Sequence, residues 1–201
     1  VRVAPSINIK LYIMLALVLF FVIGCCGAVL LGRMSDIVDY LLYVDKKTGL
    51  PNREKLNIYI GEMAGKVLPE AFTCFTLNLD NLSELTKRFG YTVGDGVLKD
   101  FAGLVQLMGD TEGMRGYNGI GRFVVFFEEC SSKKAAAMIR ILDNQVEEYN
   151  SLNPEYPIRY TAAWATTEET DTYEIRELLR LSQKKWKQME KEKKDKTEEE
   201  T

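Results

Sequence analysis

The chain has 201 residues, with 26 basic and 29 acidic side chains and a formal charge of -3. No net field of either sign would therefore draw a polyanion, and nucleic acid is not an expected partner. The absence of histidine removes the commonest general base and the most frequent zinc ligand. A chain of this length, less an apolar N-terminal stretch, accommodates one domain of the usual ~100–200 residues.

A long uncharged segment lies near the N-terminus and runs from Leu11 to Leu31. About 20 such residues are enough for a helix to cross the hydrocarbon core of a bilayer. We predict a transmembrane helix over residues 11–32, after an N-terminal flank of residues 1–10. More basic residues follow the segment than precede it, which favours a single-pass protein of the cell membrane with a cytoplasmic C-terminal domain.

Two other interpretations of this segment are a cleaved secretory signal and a lipoprotein signal with Cys25 as the lipidated residue. The apolar core of a signal is typically about 7–15 residues long, whereas here the run continues well past Cys25. A membrane span fits better. The first residue is Val1 and not a methionine, which fits a fragment that lacks an upstream sensor segment.

The residues after the span, 33–44, are predicted to form a short linker helix. Met34, Ile37, Leu41 and Val44 recur at spacings of three and four, which places them on one stripe of a helix. Such a stripe serves either as a short dimerisation seam or as the face by which the linker packs on its own domain.

The remaining sequence alternates helix and strand patterns, which is typical of an α/β domain with a central sheet. Strand-like runs rich in β-branched and aromatic residues are predicted at 71–79, 123–127 and 158–165, with a glycine-rich hairpin at 113–121. Helices are predicted at 54–67, 82–89, 94–108, 133–149 and 173–191. The polar residues 192–201 are predicted to form a disordered tail. Cys74 and Cys130 lie in strand patterns without a C-x-x-C pair and are interpreted as buried thiols.

One motif suggests a family. The segment Asp45–Arg53 reads DKKTGLPNR, in which Gly49 and Pro51 suit a tight turn and Asn52 suits the N-cap of the next helix. It resembles the D-x-x-T-G-L-P-N-R turn that opens GGDEF (diguanylate cyclase) domains, and the resemblance extends over residues 45–191. It implies a nucleotide-cyclase-like fold, with a mostly antiparallel central sheet flanked by helices.

The same resemblance implies that the catalytic site is degenerate. Asn78 stands where the family has the first aspartate of D-I-D, and Arg122 stands at the acidic position of the family's hairpin motif. Those carboxylates hold the magnesium ions that bridge GTP phosphates. An amide and a guanidinium do not replace them, and Ile120 puts a side chain where the family has a glycine. We therefore expect no catalytic residue and no metal site.

The guanine-binding pair of the family corresponds to Thr86 and Asp95, of which only the aspartate is retained. Asp95 equally suits a residue that opens a helix, and Arg122 is either a phosphate contact or a solvated side chain at a hairpin tip. With these alternatives open, the nucleotide-binding candidates are Asp95, Thr86, Asn78 and Arg122. The product-inhibition motif falls on residues 110–113 without its charged members, and the family's phosphate-binding lysine falls near Glu190 or Lys191.

The loss of acidic ligands predicts a membrane-anchored GGDEF-like protein without cyclase activity, which acts as a regulatory, dimerisation or nucleotide-sensing module in cyclic di-GMP signalling. One alternative is an active diguanylate cyclase with magnesium held by Asp80 or by backbone carbonyls. Another is a purely structural, membrane-anchored interaction domain. Expected partners are the membrane, a second copy of the chain and a guanine nucleotide. Magnesium and GTP are expected as cofactor and substrate only if the site is active.

Overall fold

The apolar N-terminal segment forms one long helix, α1 (Ile9–Tyr43), in the computed structural model, which describes residues 9–109 and 113–199. Its 35 residues would measure about 52 Å at 1.5 Å per residue, against a hydrocarbon core of about 30 Å. The predicted span and the predicted linker helix, except for its last residue Val44, lie within it. Among the described residues, this is the one helix that is long and apolar enough to cross a membrane. Its apolar side chains are exposed, with Phe20 at 78%.

The chain divides into two compact units, residues 1–42 and residues 43–201. The second unit contains a sheet of four strands in the order β2-β3-β1-β4, and each neighbouring pair is antiparallel. This confirms the predicted antiparallel sheet flanked by helices. The strands are β1 (Thr73–Leu79), β2 (Gly113–Gly119), β3 (Arg122–Phe127) and β4 (Tyr160–Thr166). The helices are α2 (Arg53–Met63), α3 (Leu82–Phe89), α4 (Tyr91–Gln106), α5 (Ser132–Leu152), α6 (Thr167–Thr170) and α7 (Ile175–Glu199).

Both faces of the sheet are covered, because successive side chains of a strand point to opposite faces. In β3, Phe123, Val125 and Phe127 belong to a core that also contains residues of α4 and α5. Val124 and Phe126 belong to a second core with residues of α2 and α7. Burial on both sides explains why the FVVFF run is continuously apolar instead of alternating with polar residues.

The turn over residues 45–53 is held by short-range hydrogen bonds. Asp45 Oδ1 accepts from the backbone N–H of Thr48 at 2.9 Å and from its hydroxyl at 2.9 Å. Gly49 has a φ of 71°, in the left-handed region that favours glycine. Asn52 Oδ1 accepts from the backbone N–H of Lys55 at 3.1 Å, which confirms the predicted N-cap of α2.

Helix α7 is attached to the sheet through a buried polar contact. The Ser182 hydroxyl lies 2.8 Å from Thr76 Oγ1 and 3.4 Å from Cys74 Sγ. Burial raises the pKa of the Cys74 thiol to about 12, and it also raises the pKa of Cys130. Both thiols are buried, as predicted, and neither is poised to act as a thiolate at neutral pH.

Several boundaries differ from the predicted ones, and those of three helices are the most informative. Helix α2 ends at Met63 and not at residue 67, because Gly65 adopts a φ of 80°. Helix α4 begins at Tyr91, three residues before the predicted start at Gly94. Helix α7 continues to Glu199, so the predicted disordered tail is wrong for residues 192–199, while residues 200–201 lie outside the described residues.

The physical reason for the longer α7 is its composition and one tertiary contact. Lysine and glutamate dominate residues 191–199, and both have high helix propensity. Lys193 Nζ also donates to the Tyr160 carbonyl at 3.0 Å and to Thr161 Oγ1 at 2.7 Å. These bonds tie the beginning of the polar segment to β4, where composition alone indicated disorder.

We expect Asn52→Ala to lower the free energy of unfolding by about 1 kcal/mol, because the N-cap hydrogen bond to Lys55 is lost. The measurement is chemical denaturation of the full chain in detergent, followed by tryptophan fluorescence. Asn57→Ala is the matched control, since Asn57 is exposed inside the same helix and alanine has the higher helix propensity there. An equal loss in both variants would contradict an N-cap role for Asn52.

Candidate functional site

The candidate site lies where β1 ends and β3 begins. Asn78 and Arg122 are direct partners in the antiparallel register of these strands, so their side chains share one face of the sheet. Both line a pocket of about 530 Å³ beside α3, the β2–β3 hairpin and α7. Thr86 lines the same pocket. The structure thus brings together three of the four predicted nucleotide-binding residues.

Asn78 and Asp80 lie at one end of this site, and both side chains already form hydrogen bonds within the protein. Asn78 Nδ2 donates to Asp80 Oδ1 at 2.8 Å, and the Thr161 hydroxyl donates to Asp80 Oδ2 at 2.6 Å. Lys193 Nζ lies 3.7 Å from the same Oδ2. The charge of Asp80 is therefore compensated within the protein, and both its oxygens accept hydrogen bonds.

The magnesium ion that the family resemblance implies does not fit these residues. Mg²⁺ prefers carboxylate and water oxygens in near-octahedral geometry. The site offers instead a neutral amide at position 78, a cation at position 122 and a carboxylate that is occupied by internal hydrogen bonds. In the described part of the chain, no group of three or more cysteine, aspartate or glutamate side chains is placed to hold a metal ion.

The hairpin tip is a two-residue turn with an unusual occupant. Ile120 has a φ of 53° and Gly121 a φ of 72°, and positive values at both positions are typical of a type I′ turn. A β-branched residue rarely adopts this conformation, which costs about 1–2 kcal/mol for an L-amino acid. The Ile120 side chain is 81% exposed and lines the pocket, so packing does not offset the strain.

The side chains of Thr86 and Asp95, the predicted guanine-binding pair, both form hydrogen bonds with other groups of the protein. The Thr86 hydroxyl donates to the Leu82 carbonyl at 2.8 Å, one turn earlier in α3. Asp95 does not line the pocket, and its Oδ1 accepts from Lys47 Nζ at 2.8 Å. This hydrogen bond raises the pKa of Lys47. Asp95 therefore ties α4 to the turn over residues 45–53.

Gly94 allows α3 and α4 to approach each other. A Cβ atom at position 94 would collide with the Thr86 hydroxyl. Of the other predicted motif positions, Glu190 lines the pocket, whereas Lys191 is exposed and does not. The predicted product-inhibition segment falls on 110–113, of which residues 110–112 lie outside the described residues.

Sequence reasoning did not identify several residues that line this pocket, among them Trp186, Lys87 and Tyr91. Trp186 is only 8% exposed, and its Nε1 atom has no hydrogen-bond partner among the described residues. A signal for it existed in the sequence. Ile175, Leu178, Ser182 and Trp186 follow one another at spacings of three and four, which marks the buried stripe of α7.

The family model described as "Diguanylate cyclase, GGDEF domain" matches residues 42–196, more than half of the chain. A sequence search of curated proteins found no match.

Solved structures show the same fold. The coiled coil and GGDEF domain of DgcB from Caulobacter crescentus, in complex with c-di-GMP, is 14% identical, with a TM-score of 0.67 over 84% of this chain and 91% of that one. A diguanylate cyclase/phosphodiesterase from Caldicellulosiruptor saccharolyticus is 18% identical, with a TM-score of 0.61 over 77% and 91%. The S helix-GGDEF-EAL structure of Vibrio cholerae LapD is 13% identical, with a TM-score of 0.55. That match covers 67% of this chain and only 31% of the S helix-GGDEF-EAL chain.

We expect Ile120→Asn to raise the free energy of unfolding by about 1 kcal/mol, because asparagine tolerates positive φ and Asn-Gly is a preferred pair in type I′ turns. Chemical denaturation of the full chain measures the change. Ile141→Asn is the control, since Ile141 is 56% exposed in the right-handed helix α5 and its replacement relieves no strain. A loss of stability in Ile120→Asn would show that the turn favours isoleucine.

Proposed function

Since the chain belongs to the GGDEF domain family, we propose that it is a membrane-anchored GGDEF protein without diguanylate cyclase activity. In this proposal it acts as a regulatory, nucleotide-sensing module in cyclic di-GMP signalling. The family match supports the signalling context, and the altered site supports the loss of catalysis.

The observation that carries the proposal is the direct pairing of Asn78 with Arg122. These positions correspond to the two metal-binding carboxylates of active members. A cation about 4 Å from a divalent ion opposes its binding by several kcal/mol, even at an effective dielectric near 20. A guanidinium also cannot lose its charge at physiological pH to make room for the ion.

An active cyclase with Asp80 as the metal ligand is the less favoured alternative. Asp80 would have to exchange its hydrogen bonds from Asn78 and Thr161 for coordination to Mg²⁺. The ion would then lie beside Arg122, which lines the same pocket. An active site would therefore need Asp80 to give up its hydrogen bonds and Arg122 to move away from the ion. A catalytically silent site needs neither change.

Nucleotide sensing is supported by the pocket itself. Arg122 and Lys87 line it, and among the described residues the side chain of neither forms a hydrogen bond or an ion pair. Tyr91 at its rim is 78% exposed and offers an aromatic surface to a base. The DgcB and LapD structures were solved with c-di-GMP, and a ligand of that kind is part of our proposal for this chain.

The membrane-bound state is supported by α1, whose exposed apolar side chains would face lipid. In the proposed arrangement the α/β domain is cytoplasmic, and residues 33–44 either link two copies as a homodimer or connect the span to its own domain. The same helix would also serve a protein that is only a structural membrane anchor. Nucleotide binding separates the sensing module from the structural anchor.

We expect the full chain to remain with the membrane fraction after alkaline carbonate extraction, because α1 would be inserted and not adsorbed. Immunoblotting of the pellet and supernatant measures this. The control is a chain with charged substitutions Leu17→Lys and Phe21→Glu in α1, which should appear in the supernatant. Release of the unaltered chain by carbonate would overturn the anchoring part of the proposal.

We expect no cyclic di-GMP when the full chain in detergent is incubated with GTP and Mg²⁺, because the positions that should hold the metal carry Asn78 and Arg122. Chromatography of the reaction measures the product. An Asn78→Asp, Arg122→Glu double variant is tested beside it.

Product from the double variant alone would identify these two positions as the cause of inactivity. Product from the unaltered chain would overturn the proposal and favour the cyclase alternative. Asn144→Asp with Arg140→Glu, at exposed positions of α5 outside the pocket, controls for the same change in charge.

A further inference from the structure

We propose that the pocket beside Asn78 and Arg122 binds the phosphate groups of a nucleotide directly, without a divalent metal ion. This inference rests on the proposed nucleotide-sensing function and specifies how the same site would recognise its ligand. Arg122 takes the place of a metal ion as the positive partner of the phosphates.

Two positively charged side chains in the pocket are available to a ligand. Arg122 and Lys87 both line it, and in the part of the chain that the structure describes neither side chain has an internal hydrogen bond or ion pair. A guanidinium matches two phosphate oxygens with parallel hydrogen bonds, and such charge-assisted bonds are about twice as strong as neutral ones.

Trp186, which lines the pocket, has a hydrogen-bond donor without a partner in the described part of the chain. Trp186 is more than nine-tenths buried, and its Nε1–H has no acceptor among the described residues. Leaving a buried donor unsatisfied is costly, and a native structure rarely does so without a reason. Trp186 lines two adjoining cavities together with Arg122, and in our proposal an oxygen of the ligand bound beside Arg122 is the acceptor that its Nε1–H lacks.

The carboxylates near the pocket do little to repel an anion. Asp80 is the carboxylate nearest to Asn78, and hydrogen bonds from Asn78 and Thr161 with Lys193 nearby offset its charge. Glu190 also lines the pocket, further along α7. An anion that enters therefore meets two uncompensated cations at Arg122 and Lys87, while the charge of Asp80 is already offset within the protein.

Magnesium should accordingly weaken binding instead of enabling it. A magnesium-bound triphosphate carries two fewer negative charges than the free triphosphate, so its attraction to Arg122 and Lys87 is smaller. The ion itself would lie near Arg122 and be repelled. This is the reverse of a site in which metal ions bridge carboxylates and phosphates.

The test is titration of the full chain in detergent with GTP, by calorimetry and by tryptophan fluorescence, once with EDTA and once with excess Mg²⁺. We expect saturable binding in EDTA and an affinity about tenfold lower in Mg²⁺. Arg122→Gln should lower the affinity in EDTA about 10- to 100-fold, because a charge-assisted contact is lost. Arg140→Gln, which removes the same charge from an exposed position of α5, should leave it unchanged.

Trp186→Phe tests the orphaned donor and guards against a variant that merely unfolds. It keeps an aromatic ring but removes the N–H group. We expect the thermal midpoint without ligand to stay the same or rise, while the affinity for GTP falls about three- to tenfold. A purely structural role for Trp186 would instead lower the midpoint and leave the affinity unchanged.

The possible failures are distinguishable. Binding that requires Mg²⁺ would overturn this inference and leave the sensing role intact. Binding in EDTA that survives Arg122→Gln would place the nucleotide elsewhere and overturn it as well. No binding under either condition, up to millimolar GTP, would overturn both the inference and the sensing part of the proposed function.

Discussion

The pairing of β1 with β3 is the constraint on which the rest of the domain depends. Six consecutive residue pairs, from Thr73 with Phe127 to Asn78 with Arg122, fix the register. A shift by one residue would turn every side chain of a strand to the opposite face. Phe75 and Leu77 would then leave the core that contains α4 and α5. The same register that buries the phenylalanines therefore puts Arg122 opposite Asn78, and the character of the pocket follows from the packing of the core.

Helix α7 completes both the fold and the pocket. Ile175 and Leu178 bury the face of the sheet opposite α4 and α5, and Ser182 satisfies buried hydroxyl and thiol groups of β1. One further turn along the same buried stripe, Trp186 reaches the pocket beside Arg122. Because one continuous stripe does both tasks, the tryptophan is held by the docking of the whole helix. A rigid element of this kind positions a binding group better than a loop does.

Much of the fold could be predicted from the sequence because its signals are local. The FVVFF run, the Asn52 cap and the alternation of helices with strands depend on neighbouring residues. The pocket was predictable only where the family resemblance pointed to particular positions. The bond between Lys47 and Asp95 joins residues 48 apart, and Lys193 reaches β4 from the far end of α7. Such contacts are set by tertiary packing, so composition wrongly indicated disorder for residues 192–199 and left Asp95 without a partner.

The altered site and the stable fold coexist because the changed positions carry little of the packing energy. Arg122 is exposed at the first residue of β3, while Phe123 beside it is fully buried. Asn78 lies one residue from the end of β1 and bonds to Asp80 instead of to the core. Reversing the charge at such positions changes the electrostatics of the pocket without opening a cavity or burying an unpaired charge. Under the function proposed above, a fold that places its ligand-contacting side chains at strand ends exchanges metal-dependent chemistry for direct recognition of an anion, while the sheet and both of its cores stay the same.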